Sequence, residues 1–307
     1  MATLALQTLL YAPGPFYCYP WKPVVNALAG DGYATAYKHF RRDHRTAPNL
    51  ALHMVCLVFQ VLGNFALLDT LDNIVAPLLQ GSPIARPIAA VTAAGWALAL
   101  ATAPAPFVCT LLAIATVAGG FWASPAIDPM LLEMTCIGTF LAVLLLTLGV
   151  SKKVLAATAG WGAWFGLWAG LEAYAGLALA GSRATALAVL AAFVVAAAAS
   201  PKVPEAPAIG GALACRAVAI LTGSRLAFLW GCSFTAPLMQ GTAHKITGET
   251  ATLINLNKAK TSAAAVDTAG KVRFEWAHVT FFPSLAFHSV YHSLSAPSSA
   301  SPASKAD

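Results

Sequence analysis

The sequence predicts an all-α, polytopic membrane helix bundle with about 7–9 membrane segments. Three observations carry that expectation. First, 58% of the 307 residues are apolar, only 10% are charged, and the mean hydropathy is +0.70. A soluble domain carries about 25% charged residues, so there is too little polar surface here to coat a globule in water. Second, apolar runs of spanning length recur along the chain, separated by the punctuation "GSPIARP", "APAP", "SPAIDP" and "SPKVPEAP". Proline continues a helix poorly and marks loops well. Third, the basic stretch "YKHFRRDHR" (37–45) stands directly before an apolar run, where a cytoplasmic juxtamembrane cluster belongs. The net charge of +6 is thus a topology signal, and nucleic acid is not an expected partner.

The elements follow in order. Residues 1–36 form an N-terminal segment without a basic n-region, so a cleaved secretory signal is not expected. Its scarcity of acids suits an organellar transit peptide, whereas its lack of arginine does not. Residues 37–294 read as one polytopic membrane domain, with an inserted Ala-rich helical middle at about 87–200 whose small residues permit close helix contacts in lipid. Spans are expected near 50–68, 87–103, 106–124, 130–150, 154–180 and 184–200. Arg216 and Arg225 interrupt 208–243, which reads as two short helices or a re-entrant hairpin. Residues 257–275 are polar and loop-like, 274–294 form a last amphipathic or spanning segment, and 295–307 are a disordered Ser/Ala/Pro tail. Trp161, Trp164 and Trp168 share one helix face, as packing residues do. Glu133 and Glu172 are intramembrane carboxylates and so functional candidates. The six cysteines are scattered, with neither disulfide nor zinc spacing.

The histidines are placed unevenly. His39, His44 and His53 lie near one end, His244, His278, His288 and His292 near the other, and none lies between. On one continuous helix His44 and His53 would point about 180° apart. Pro48 breaks the chain between them and Asn49 is a good helix N-cap, so His44 can fold back beside His53. His288 and His292, at i and i+4, share a face. His244 can join His44 and His53 only if an even number of crossings separates them; two short helices in 208–243 satisfy that count.

The stretch "HRTAPNLALH" (44–53), preceded by "YATAYKHF", resembles the opening motif of the fungal 2-hydroxy fatty acid dioxygenase family. His44, Asn49 and His53 match its spacing. "QGTAH" (240–244) resembles the family's second motif through Gln240 and His244, and "HVTFFPSLAFHSV" resembles its closing segment at Pro283. Ala243 stands where the family has glycine, Glu249 is displaced by one position, and the arginine and Pro-Ala of the second motif are missing. His288 lies near the place of the family's last glutamate. The resemblance covers the two ends, leaving several middle helices as an insertion.

The resemblance implies an Fe(II)-dependent dioxygenase that shortens 2-hydroxy long-chain fatty acids by one carbon with O₂. Imidazole suits iron, and a 2-hydroxy acid can chelate a metal through its hydroxyl and carboxylate. It assigns His44, His53 and His244 as metal ligands, with a fourth from His288, His292 or, third in rank, His278. Asn49 and Gln240 would orient the ligand imidazoles, and Glu249 would act as ligand or proton acceptor. His39 reads equally well as an ordinary interface residue. The expected location is the endoplasmic reticulum membrane, with a plastid or mitochondrial membrane as the alternative. The competing reading is a non-catalytic multi-pass subunit of a membrane complex with a protein partner, or a transporter. A transporter should show paired broken helices in corresponding halves, and no convincing internal repeat is visible.

Overall fold

Among the described residues, three apolar cores share a single helix, α2 (Ala47–Val75). The computed structural model describes residues 33–79, 84–177, 206–250 and 268–295. Among the described residues there are nine α-helices, two short 3-10 turns and no strand. The helices are α1 (Tyr33–Asp43), α2 (Ala47–Val75), α3 (Pro87–Ala101), α4 (Phe107–Ala123), α5 (Pro129–Leu148), α6 (Lys152–Leu177), α7 (Ala206–Thr222), α8 (Arg225–Thr247) and α9 (Thr268–Ser295). The N-terminal segment up to residue 32, the 184–200 span, the 257–267 stretch and the tail beyond 295 lie outside the described residues. So do the side chains of Trp168, Glu172 and His278.

Proline starts helices here as often as it separates them. Pro48, Pro87 and Pro129 each stand in the first turn of a helix, where the missing N–H would have no intrahelical partner. Asp128 caps α5 by accepting from Leu131 N at 2.8 Å, and Ser224 caps α8 by accepting from Ala227 N at 3.2 Å. The N-cap of α2 is Thr46 and not the expected Asn49, which stands third in the helix because the chain bends at 44–46, ahead of Pro48; Thr46 makes no side-chain cap. Its replacement is part of the site below.

Among the described residues, three helices are long and apolar enough to cross a membrane: Ala47–Leu78, Phe107–Ala126 and Pro129–Leu148. These correspond to three of the expected spans. The first is 72% buried, against 28% and 33% for the others. α2 is therefore the hub, while α4 and α5 turn most of their apolar surface outward. The other expected crossings are not shown as such. α3 is apolar but has 15 residues, short of the roughly 20 that a bilayer core requires. The 208–243 region resolves into two helices, α7 and α8, joined at Gly223, rather than a re-entrant loop. α9 begins at Thr268, so 268–275 is helix and not the loop that its polarity suggested. Lys271, Arg273 and Glu275 are good helix formers, and no proline interrupts them.

Two cores flank α2. On one side Leu57, Val61 and Phe65 pack with Leu100 of α3, Ala113 and Val117 of α4, and Phe281 and Leu285 of α9. On the other, Leu52, Cys56 and Phe59 pack with Phe140 of α5, Trp161 of α6 and Met239 of α8. Trp161 thus packs in a core, edge-on to Phe140 at 6.3 Å. Gly120 permits the close approach of α4: a Cβ there would sit 2.5 Å from Val61 Cγ1.

Candidate metal centre

His44, His53 and His244 converge at the N-terminal mouth of α2. Each arrives by a different route. α1 ends at Asp43 and α2 begins at Ala47, so His44 lies on the bend between them. Pro48 in the first turn of α2 fixes where the new helix starts. His53 stands in the second turn, and His244 in the last turn of α8. Ring centroids are 4.2 Å apart for His44–His53, 4.8 Å for His44–His244 and 4.9 Å for His53–His244. All three residues are buried, at 2–3% exposure.

The hydrogen bonds fix the rings. His44 Nδ1 donates to the Phe40 carbonyl (2.8 Å), His53 Nδ1 to the Asn49 carbonyl (2.9 Å) and His244 Nδ1 to the Glu249 carbonyl (2.9 Å). A carbonyl only accepts, so each Nδ1 carries the hydrogen, and each neutral ring keeps its lone pair on Nε2. Backbone partners of this kind orient ligand imidazoles in metal sites. The three donor atoms lie within 4.8 Å of one another. With metal–nitrogen bonds of about 2.1 Å, ligand nitrogens stand roughly 3.4 Å apart, so small ring rotations complete the site. The donor set fits a first-row divalent ion: three neutral imidazoles suit iron, zinc, copper or nickel.

Glu249 clamps this arrangement. Its Oε1 accepts from Thr46 N (2.7 Å) and Arg45 N (3.0 Å), and its Oε2 from Arg45 N (3.1 Å) and from Asn49 Nδ2. A carboxylate from the turn after α8 therefore caps the N-terminus of α2, where N–H groups and helix dipole both favour negative charge. Gly248, with φ +77°, turns the chain back so that the Glu249 carbonyl meets His244 while its carboxylate meets α2.

The other sequence candidates divide. Asn49 orients the site through its carbonyl to His53 and its amide to Glu249. Gln240 is half-buried on α8, and among the described residues no hydrogen bond joins it to the three histidines. His288 and His292 lie elsewhere, between α1 and α9. His288 Nδ1 meets Tyr33 Oη at 3.0 Å and its ring stacks on Tyr37 at 4.0 Å; His292 Nδ1 meets Arg41 Nη2 at 3.3 Å. His39 is half-buried on α1. The described side chains thus bring together three imidazoles, without His288 or His292.

Two features escaped the sequence reading. Phe40, fully buried, stacks on His44 at 3.9 Å and carries the carbonyl that orients it; its place four residues before His44 was the available signal. Glu133 pairs with Arg216 of α7 and accepts from Thr235 Oγ1 of α8 at 2.6 Å, while Arg216 lies 4.0 Å over the Phe228 ring. Arg216 had read as an interruption of an apolar run rather than a partner. Compared with protein-family models, curated proteins and solved structures, the chain matches none.

Proposed function

We propose that the protein is a membrane-embedded, Fe(II)-dependent dioxygenase, akin to the 2-hydroxy fatty acid dioxygenases, that shortens a long-chain 2-hydroxy acid by one carbon. The observation that carries this reading is the meeting of His44, His53 and His244 at the mouth of an apolar helix, each with Nδ1 tied to a carbonyl. The reaction balances as one 2-hydroxy acid and one O₂ giving the shorter acid, carbon dioxide and water. A bound ferrous ion would supply the redox chemistry toward O₂ and an anchor for the substrate's hydroxyl and carboxylate.

The chain's own residues do the rest. The three histidines hold the ion, and Phe40 walls the site beside His44 against water. Glu249 and Asn49 keep the 44–49 bend against the end of α8. The site stands where an apolar helix begins, so an acyl chain can lie along α2 while its polar head reaches the metal. The same reading takes the bundle as crossing 7–9 times, with α3, α7 and α8 among the crossings, and sets it in the endoplasmic reticulum. The shorter apolar helices, α3 and 209–222, are among the segments that this count would add.

The test uses detergent-purified full-length protein loaded anaerobically with Fe(II). Iron should bind near one per chain, and a 2-hydroxy long-chain acid should be converted to the acid one carbon shorter, read by mass spectrometry. Bound iron with no conversion of any 2-hydroxy acid would overturn the activity. The departures at Ala243 and Glu249 from the second motif favour one rival, a non-catalytic subunit. That rival requires indifference to chelators and a stoichiometric protein partner on purification.

A further inference from the structure

A stripe of polar residues descends α2 from the metal site. Asn49, His53, Gln60 and Asn64 fall within about 60° of one another around the helix, with Gln60 and Asn64 roughly 10 and 17 Å beyond His53 along the axis. The stripe follows the seam between the two main cores, with Cys56 and Phe59 on one side and Leu57, Val61 and Phe65 on the other. Gln60 is 4% exposed and Asn64 is fully buried. Among the described residues, Asn64 Nδ2, Asn64 Oδ1 and Gln60 Nε2 have no hydrogen-bond partner.

This is costly. The buried Thr70 and Thr92 instead satisfy their hydroxyls by donating to the carbonyl four residues earlier. A buried amide left without partners costs several times more than a made hydrogen bond returns. In a helix long and apolar enough to cross a membrane, such residues mark a ligand path by default. On α9, which packs against the same helix, Ser284 Oγ is also buried and has no partner among the described residues.

We propose that Gln60 and Asn64 form a second recognition site, which hydrogen-bonds an oxygen in the middle of the acyl chain of a ligand whose head group sits at the histidines. The inference rests on the proposed function and narrows its substrate class to long-chain 2-hydroxy acids carrying a further mid-chain hydroxyl. Asn64 offers both a donor and an acceptor, and Gln60 a donor, which matches a hydroxyl and leaves a plain methylene chain unrewarded.

The experiment compares a saturated 2-hydroxy acid with a series of dihydroxy acids whose second hydroxyl is moved along the chain. Binding to the metal-loaded protein is read as the shift in melting temperature. One dihydroxy isomer should bind about tenfold more tightly than the plain acid, the worth of one well-made hydrogen bond. Gln60→Met with Asn64→Leu should remove that preference and raise the melting temperature of the ligand-free protein. Equal binding of all acids to the wild type overturns the mid-chain site while leaving the proposed function standing. A preference that survives in the double variant also overturns it. Failure of every acid to bind overturns both readings.

Discussion

Two of the buried polar clusters in the bundle obey different chemistry. Around Glu133, complementary groups close on one another: a guanidinium and a hydroxyl donate to a carboxylate that only accepts, and an aromatic face covers the arginine. Around His53, three groups of the same kind meet, and the Nε2 lone pairs of neutral imidazoles cannot bond to each other. The first cluster is finished by the chain itself, joining α5, α7 and α8. The second has a donor set that could hold a cation. Burial of polar groups therefore does not identify a functional site; the mismatch between the groups does.

The largest effect should come from breaking the second cluster. His53→Ala should remove bound metal, read as iron or zinc per chain, and leave the helical circular dichroism signal intact. Metal retained at wild-type stoichiometry would take His53 out of the site. Breaking the first cluster should do the reverse. Arg216→Leu leaves the Glu133 carboxylate buried without its cation, a loss of about 3–5 kcal/mol, read as a lower melting temperature. The double variant Glu133→Leu, Arg216→Leu should recover most of that stability, because well-packed apolar residues replace buried ion pairs at little net cost. Metal content should be unchanged in the double variant. If it falls, the two clusters are coupled through α8.

The sequence was most legible where the site is local. His44, Pro48, Asn49 and His53 lie within ten consecutive residues, so helical phase and the proline break were enough to bring the two rings together. His244 required a parity argument about crossings, together with a motif. Glu249 was visible as an unusual carboxylate, but its work as a cap depends on α8 ending beside the start of α2, a tertiary fact no spacing reports. Glu133 and Arg216 are 83 positions apart, and each alone resembled a polar fault in an apolar helix. His288 and His292 carried the right helical phase but belong to the contact of α9 with α1, where Tyr33 and Arg41 engage them. Periodicity specifies a face and leaves open which helix that face meets.

An intermediate effect tests the clamp. Glu249→Gln keeps the shape and one acceptor oxygen but removes the charge at the N-terminus of α2. Metal affinity should fall by about 10–100-fold, as for other residues that hold metal ligands in place, with only a small loss of stability. Unchanged affinity in a folded variant would mean that the His244–Glu249 turn is held without the carboxylate.

The smallest effect separates the turn from the helix it ends. Gly248 and Gly223 both adopt positive φ, +77° and +67°, and an added Cβ would meet nothing within 4 Å at either. Alanine at either position therefore incurs only the conformational cost of the left-handed region, about 1–2 kcal/mol. Gly223 precedes α8 and lies roughly 30 Å along that helix from His244; Gly248 lies beside His244 and sets the direction of Glu249. Gly223→Ala and Gly248→Ala should lower the melting temperature by similar amounts, and only Gly248→Ala should weaken metal binding. An equal loss of metal in both variants would mean that affinity follows global stability, and the turn at Gly248 would then be a helix end like any other.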